Sequence, residues 1–348
     1  METFSSQETV SAAVFTHNEV QISDALKGVA GLRYTWEKRN FTSRQFFAFT
    51  PPGGPVLREI VCSFCDLGLL PSTTDDPRIK DKILTRKASF RVGIEYTPTE
   101  NSLIFANVSQ GFKSGGWDGN IAFTGEVLQP YKKEEVTSVE IGLKSDWLDG
   151  TMRLNATAFY TDYENPQLRK NILINGVPNT ILGNIEGAEI YGIEVESMWS
   201  PASVPGLDFI VTVSLMDSET DDNDTTSANP SRFNNKGLPF AAGESFTVSG
   251  RYKWPVLDNW IASIHTSVAY TSDFFIDGSN LPFEEFNTTF VRARAALASQ
   301  DGKWELAVWG NNLTNDVYHF GVFQLFGARP QYTNRPRQVG VTLNYNFF

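Results

Sequence analysis

The sequence predicts an all-β chain that folds as the wall of an antiparallel transmembrane β-barrel, about thirteen strands long. Three observations predict it. Apolar and polar residues alternate with a period of two along many segments. The connections between these segments are alternately short and long. Aromatic residues collect near segment ends.

Taken in chain order, the expected strands are Ser11–Gln21, Lys27–Glu37, Lys87–Thr97, Ser102–Phe112, Lys133–Trp147, Thr151–Tyr163, Glu186–Trp199, Asp208–Asp217, Gly243–Trp254, Trp260–Ser272, Phe286–Ala298, Lys303–Gly310 and Pro336–Phe348. The alternation is easiest to see in four of them. Phe90, Val92, Ile94 and Tyr96 interleave with Arg91, Gly93 and Glu95. Met152, Leu154, Ala156, Ala158 and Tyr160 interleave with Arg153, Asn155 and Thr157. Tyr191, Ile193 and Val195 interleave with Gly192, Glu194 and Glu196. Val339, Val341, Leu343, Tyr345 and Phe347 interleave with Gly340, Thr342, Asn344 and Asn346. Successive side chains of a strand point to opposite faces, so each segment has one apolar and one polar face.

The connections sort by length. Residues 22–26, 98–101, 148–150, 200–207, 255–259 and 299–302 form short turns. Residues 40–86, 113–132, 164–185, 218–242, 273–285 and 311–335 form long polar loops. Strict alternation places all short turns at one end and all long loops at the other, the layout of a membrane barrel. A soluble sandwich also alternates apolar and polar residues, but nothing sorts its loops by end. Tyr34, Trp36, Tyr96, Trp147, Tyr160, Tyr163, Trp199, Tyr252, Trp254, Trp260, Tyr270 and Trp304 sit near strand ends, where two interfacial girdles require them.

Bulk properties agree. A length of 348 residues suits one barrel as well as two soluble domains. A net charge of −11 argues against binding nucleic acid, which needs clustered Lys and Arg. Mean hydropathy is −0.24, and no stretch reaches the roughly 18 apolar residues of a membrane helix. A barrel strand escapes that measure because only alternate residues face lipid. Residues 1–10 are polar and carry no secretory signal pattern, so the chain is expected to begin within a longer gene product.

Five segments together carry a family resemblance: GLRYTWEKR (Gly31 to Arg39), YTPTENSLIFANVSQGFKSGGWDG (Tyr96 to Gly119), EEVTSVEIGLKSDWLDGTMRLNATAFYTDYENPQ (Glu134 to Gln167), GAEIYGIEVE (Gly187 to Glu196) and the closing NNLTNDVY…RPRQVGVTLNYNFF. The chain resembles the C-terminal part of the β-barrel of TonB-dependent receptors, the energised importers of the bacterial outer membrane. The pattern S-x-G-F-K-S-G-G (Ser109 to Gly116) and the turn Asn311 to Asn315 carry most weight. The resemblance implies that residues 1–348 are barrel alone, with signal peptide, TonB box, plug and the first strands lying elsewhere. It implies contact with outer-membrane lipid and lipopolysaccharide, with the barrel-assembly machinery, and with TonB only through the plug. The implied ligand is a scarce solute, most often a ferric siderophore. A passive porin-like channel, or a fragment unable to transport alone, is the alternative. In the family a terminal aromatic with another two residues earlier resembles the assembly signal. Tyr345 and Phe347 match that spacing, and Phe348 follows as an extra residue.

Individual residues add little chemistry. The three histidines are scattered and no catalytic or cofactor motif appears in a supporting context. Cys62 and Cys65 form a lone C-x-x-C in a long loop, short of the four ligands a zinc site needs. A loop disulfide is expected in an oxidising compartment, with free thiols as the alternative. The acidic run Asp217, Glu219, Asp221, Asp222, Asp224 lacks the glycine and distal glutamate of a calcium loop and reads as solvated charge. Arg292, Arg294, Glu194 and Glu196 fall on polar strand faces and are expected in the lumen, lining a ligand path, contacting the plug, or simply solvated.

Overall fold

The computed structural model describes residues 2–46, 78–118, 130–174, 177–222, 235–276, 286–322 and 331–347. Among them there are strands and no helix. Thirteen strands join in a single sheet, each antiparallel to its neighbour. They are β1 (Glu2–Ser23), β2 (Leu26–Phe46), β3 (Arg78–Thr99), β4 (Ser102–Lys113), β5 (Glu134–Trp147), β6 (Met152–Glu164), β9 (Gly187–Trp199), β10 (Leu207–Asp221), β11 (Glu244–Leu257), β12 (Trp260–Phe274), β13 (Phe286–Ser299), β14 (Trp304–Asn311) and β17 (Gln338–Tyr345). Two hairpins stand apart from the sheet: β7 (Gln167–Ile174) with β8 (Val177–Asn184), and β15 (His319–Val322) with β16 (Gln331–Thr333). In the sheet, β1 neighbours only β2, and β17 neighbours only β14.

The strands correspond one for one to those expected, but several boundaries differ. β1, β2 and β3 run far beyond Ser11, Glu37 and Lys87, with pairing continuous out to Glu2↔Phe46 and Arg44↔Arg78. These extensions are mostly polar, with Phe41, Ile83 and Leu84 among charged and hydroxyl residues rather than in an unbroken alternation, so hydropathy did not reveal them. β10 continues through Ser218–Asp221, so this part of the expected acidic loop is strand. The hairpin β7–β8 occupies a segment expected to be irregular loop. The last strand is shorter than Pro336–Phe348.

Register builds the two faces. One face carries the row Ile94, Ala106, Ile141, Ala158, Ile193, Leu215 across six strands. It continues through Val248, Val268 and Val291, and through Leu297, Leu306 and Leu343. These side chains lie open: Val14 is 70% exposed, Ile141 58% and Val341 69%. Leaving such a side chain in water costs about 1.5–3 kcal/mol relative to burial. A continuous face of them is stable against hydrocarbon. The opposite face is largely polar, with Glu95, Asn107, Glu140, Lys144, Asn155 and Glu196 in neighbouring strands.

One glycine on the polar face marks a close approach. A Cβ on Gly142 would overlap the Phe105 ring, which lies on the strand beside it. An aromatic ring covering a strand glycine is a recognised way to let a sheet curve without leaving a hole.

Candidate functional site

The site candidate is the long-loop end of the sheet together with the polar face beneath it. The pattern Ser109–Gly116 ends β4 and begins its loop. The Gly116 N–H donates to the Tyr131 carbonyl at 3.2 Å, and the Tyr131 N–H donates back at 2.9 Å. A Cβ on Gly116 would lie 2.6 Å from the Tyr131 hydroxyl. A Cβ on Gly115 would strike the Tyr131 carbonyl oxygen. Gly115 is therefore demanded by close backbone approach, and Gly116 is crowded by the Tyr131 side chain.

Once past these glycines, the loop is fastened to the wall. Arg39 Nη1 donates to the Gly115 carbonyl at 2.8 Å, while its Nε lies 2.7 Å from Glu37 Oε1. Trp117 stacks on Phe41, and its indole N–H donates to Asp81 Oδ2 at 3.3 Å. Phe41 and Asp81 are register partners on β2 and β3, so both strand extensions hold the loop. The hairpin β7–β8 docks from the other side. Gln167 is buried; its backbone N–H donates to Glu134 Oε2 at 2.7 Å. Its amide donates to the carbonyls of Ser114 at 3.1 Å and Lys132 at 3.0 Å. Asn184 accepts from the Lys132 N–H at 2.7 Å and donates to the Asn165 carbonyl at 2.7 Å. Asp118 accepts from the Leu182 N–H at 2.9 Å, with Arg169 at 3.8 Å.

The Asn311–Asn315 turn has a structural task. The buried Asn312 donates to the carbonyls of Asp316 and Arg335, at 2.8 and 3.2 Å, and accepts from the Asp316 N–H. Thr314 donates to the Thr289 carbonyl at 2.7 Å, and Asn315 accepts from the Arg337 N–H at 3.0 Å. Asn312 and Asn315 have φ of 49° and 58°, a region asparagine tolerates best after glycine. The turn ties the outer ends of β13, β14 and β17 together.

The four charged residues singled out from sequence lie on the polar face but not in one cluster. Glu194 is exposed between Thr157 and Ser214. Glu196 accepts from the Asn155 amide at 3.2 Å. Arg292 is exposed opposite Ser267. Arg294 donates to Glu305 Oε1 at 2.6 Å, and Asn344 donates to the same oxygen at 3.0 Å. Strands β10, β11 and β12 separate the glutamates from the arginines, roughly 19 Å along the sheet.

Two recesses were not visible in the sequence. One, of about 220 Å³, lies on the polar face among Arg91, Glu95, Asn107, Glu140 and Lys144. The other, of about 360 Å³, lies at the outer end among Tyr163, Leu168, Ile190, Met216 and Leu238. Its lining comes from five separate segments, so no local signal announces it.

Of the acidic run, Asp217, Glu219 and Asp221 alternate along β10, and Asp217 accepts from the Tyr191 hydroxyl at 3.0 Å. No group of three or more His, Cys, Asp and Glu among the described residues is arranged to hold a metal. Asp224, Cys62, Cys65 and Phe348 lie outside the described residues. Tyr345 packs on Trp304 with centroids 4.3 Å apart, and Phe347 is 81% exposed.

Fold and site thus define a class: a membrane β-barrel wall with a polar inner face and interlocked outer loops. Residues 2–344 match the family model for the TonB dependent receptor-like β-barrel. The chain belongs to the TonB-dependent receptor family, whose members reside in the bacterial outer membrane. The metal-pseudopaline receptor CntO of Pseudomonas aeruginosa is 28% identical over 268 residues, 75% of this chain and 34% of that protein. The probable TonB-dependent siderophore receptor PiuA of Acinetobacter baumannii is 26% identical over 111 residues, 31% of this chain and 14% of that protein. Among solved structures, the ferric yersiniabactin uptake receptor FyuA of Yersinia pestis superposes with a TM-score of 0.75 at 16% identity, over 99% of this chain and 47% of that one. The copper transporter OprC superposes with a TM-score of 0.65 at 11% identity, over 97% of this chain and 50% of that one. The chain spans about a third of the length of the relative CntO and about half of these structures.

Proposed function

We propose that this chain supplies the wall and outer loops of a receptor that takes up a scarce metal chelate, a ferric siderophore or a close chemical equivalent, by TonB-coupled transport. The observation that carries this reading is the outer mouth: two loops locked to each other and to the wall above a polar inner face, in a chain of this family. The names of the relatives, receptors for a metal–pseudopaline complex and for siderophores, support the ligand class. On this reading the chain contributes barrel, to which residues 2–344 are matched, and the plug that contacts TonB is supplied by other sequence. In this reading Arg292, Arg294, Glu194 and Glu196 line the lumen, and Tyr345 and Phe347 are read by the assembly machinery.

The test is uptake. Cells carrying the complete gene product that contains this chain should accumulate a radiolabelled ferric chelate under iron limitation and lose that accumulation when TonB is deleted. Accumulation that survives TonB loss would mean a passive channel instead.

A further inference from the structure

One part of the polar inner face is apolar. Tyr163 on β6, Ile190 on β9 and Met216 on β10 stand at its outer end. By strand alternation they point to the same side as Asn155 and Glu196, away from lipid. They line the recess of about 360 Å³, together with Leu168 of β7 and with Leu238 and Phe240 of the loop after β10. A cavity of about 150 Å³ with apolar walls holds a benzene ring, so this one has room for two fused rings.

The walls are fixed apart from one another. The Leu238 N–H donates to Ser218 Oγ at 3.0 Å, and the Thr220 N–H donates to the Lys236 carbonyl at 2.8 Å. The Phe240 N–H donates to the Phe275 carbonyl at 2.8 Å, and its ring lies 6.0 Å from that of Phe274. On the opposite side, the bonds of Gln167 fasten the strand that carries Leu168. Phe240 has φ of 60°, a region that bulky residues rarely occupy, and is 59% exposed. The fold thus holds a large ring open at the rim against both backbone preference and water.

Glu134 gives the recess its sign of charge. It lines the recess, and its Oε2 accepts from the Gln167 N–H at 2.7 Å. Among the described residues no cation pairs with it. A carboxylate held there repels an anionic group and accepts from an N–H or O–H donor.

We propose that this recess seats an aromatic ring without negative charge, carried at the periphery of the imported chelate, with Glu134 accepting from a donor group on that ring. Met216 suits such an occupant, since a thioether packs well against ring edges. Apolar walls with one placed polar group are what fix orientation in small-molecule sites. The inference rests on the reading of this chain as an importer wall and narrows the ligand class within it.

The complete receptor containing this chain is placed in nanodiscs of zwitterionic lipid. Binding of 1-naphthylmethylammonium and of 1-naphthoate, one ring system with opposite charges, is measured by equilibrium dialysis, and protein-free nanodiscs correct for partition into lipid. The parent should prefer the ammonium by about tenfold, a weak attraction added to a weak repulsion. Glu134→Gln keeps an oxygen for the Gln167 N–H and should narrow that preference to about twofold or less. Leu238→Trp fills the recess and should weaken both probes by about tenfold. Met216→Ala crowds nothing and should weaken both by about fivefold, which covers the case of a misfolded Leu238→Trp. No binding by the parent, equal affinity for the two probes, or affinities unchanged in Leu238→Trp and Met216→Ala overturns the proposal. In iron-starved cells with TonB-dependent accumulation of radiolabelled iron, the ammonium probe should lower that accumulation. A bound probe that leaves it untouched puts the ring site off the import path and also overturns the proposal. The dialysis involves no transport, so accumulation that survives TonB loss defeats the importer reading without altering the ring measurement.

Discussion

Trp117 lies flat on Phe41, with ring centroids 5.1 Å apart and planes 7° from parallel. The two residues are 5% and 3% exposed, in a sheet that otherwise leaves most of its large side chains open. The stack fixes the base of the β4–β5 loop to the outer extension of β2. Replacing Trp117 with Ala should free the loop while sparing the barrel wall. Aromatic stacking contributes about 0.5–1.5 kcal/mol beyond area burial, so amide exchange at residues 113–118 should accelerate about two- to tenfold. Exchange across β5 and β6 should stay unchanged.

Gly116 gives a sharper test of the same closure. The variant Gly116→Ala brings its Cβ to 2.6 Å from the Tyr131 hydroxyl, and the paired backbone cannot retreat without losing both hydrogen bonds. If the proposed uptake of a metal chelate holds, binding of a ferric chelate by the receptor should fall. Shortening the obstacle with Tyr131→Phe in the same chain should restore part of that loss. If the double variant is no better than the single one, the hydroxyl contact is not the cause.

Gly142 and Phe105 predict a dependent pair. Gly142→Ala alone forces the Phe105 ring aside and should destabilise the protein by about 1–3 kcal/mol. In a Phe105→Ala background the same change should cost less but not nothing, because the new Cβ still lies 2.8 Å from the Ala156 carbonyl oxygen. A urea double-mutant cycle measures the difference.

Arg294 and Glu305 form a partly exposed ion pair, with side chains 37% and 32% accessible. Solvent screening limits such a pair, so Arg294→Gln should cost about 1 kcal/mol or less. Asn344 remains to donate to Glu305. A loss several times larger in urea unfolding would show that the lumen around the pair is drier than the geometry indicates.

Asp301, in the short turn between β13 and β14, is held below the usual aspartate range by the Ser299 hydroxyl and then by the Lys303 backbone N–H. A depressed carboxylate pKa contributes stability at pH above the unfolded value and loses it as pH falls through the folded value. Acidification below the usual aspartate range should therefore loosen this turn. The Lys303 amide resonance reports it; a midpoint at or above that of free aspartate would contradict the hydrogen bonds.

Much of the wall was legible because lipid on one face and water on the other impose a period of two, as in Val339–Phe347 and Met152–Tyr160. That signal vanishes where both faces meet water. The outer halves of β1, β2 and β3 and the hairpin β7–β8 were missed for this reason. Gly115 and Gly116 were noticed as part of a pattern, but what crowds them, the carbonyl and the side chain of Tyr131, lies far along the chain. Arg39, Trp117 and Gln167 were invisible as site residues, since each acts through partners brought together only by the sheet. Arg292, Arg294, Glu194 and Glu196 fall on the polar strand faces that the alternation assigns them, and the strand order expected from the sequence already put three strands between the two pairs.

The sheet order leaves β1 and β17 each with one neighbour. Among the described residues no strand pairs with the outer flank of β1. Hydrocarbon cannot satisfy backbone amides and carbonyls, and each unmet group costs several kcal/mol there. Residence in hydrocarbon thus asks for backbone pairing along both of these flanks as well as for the apolar face.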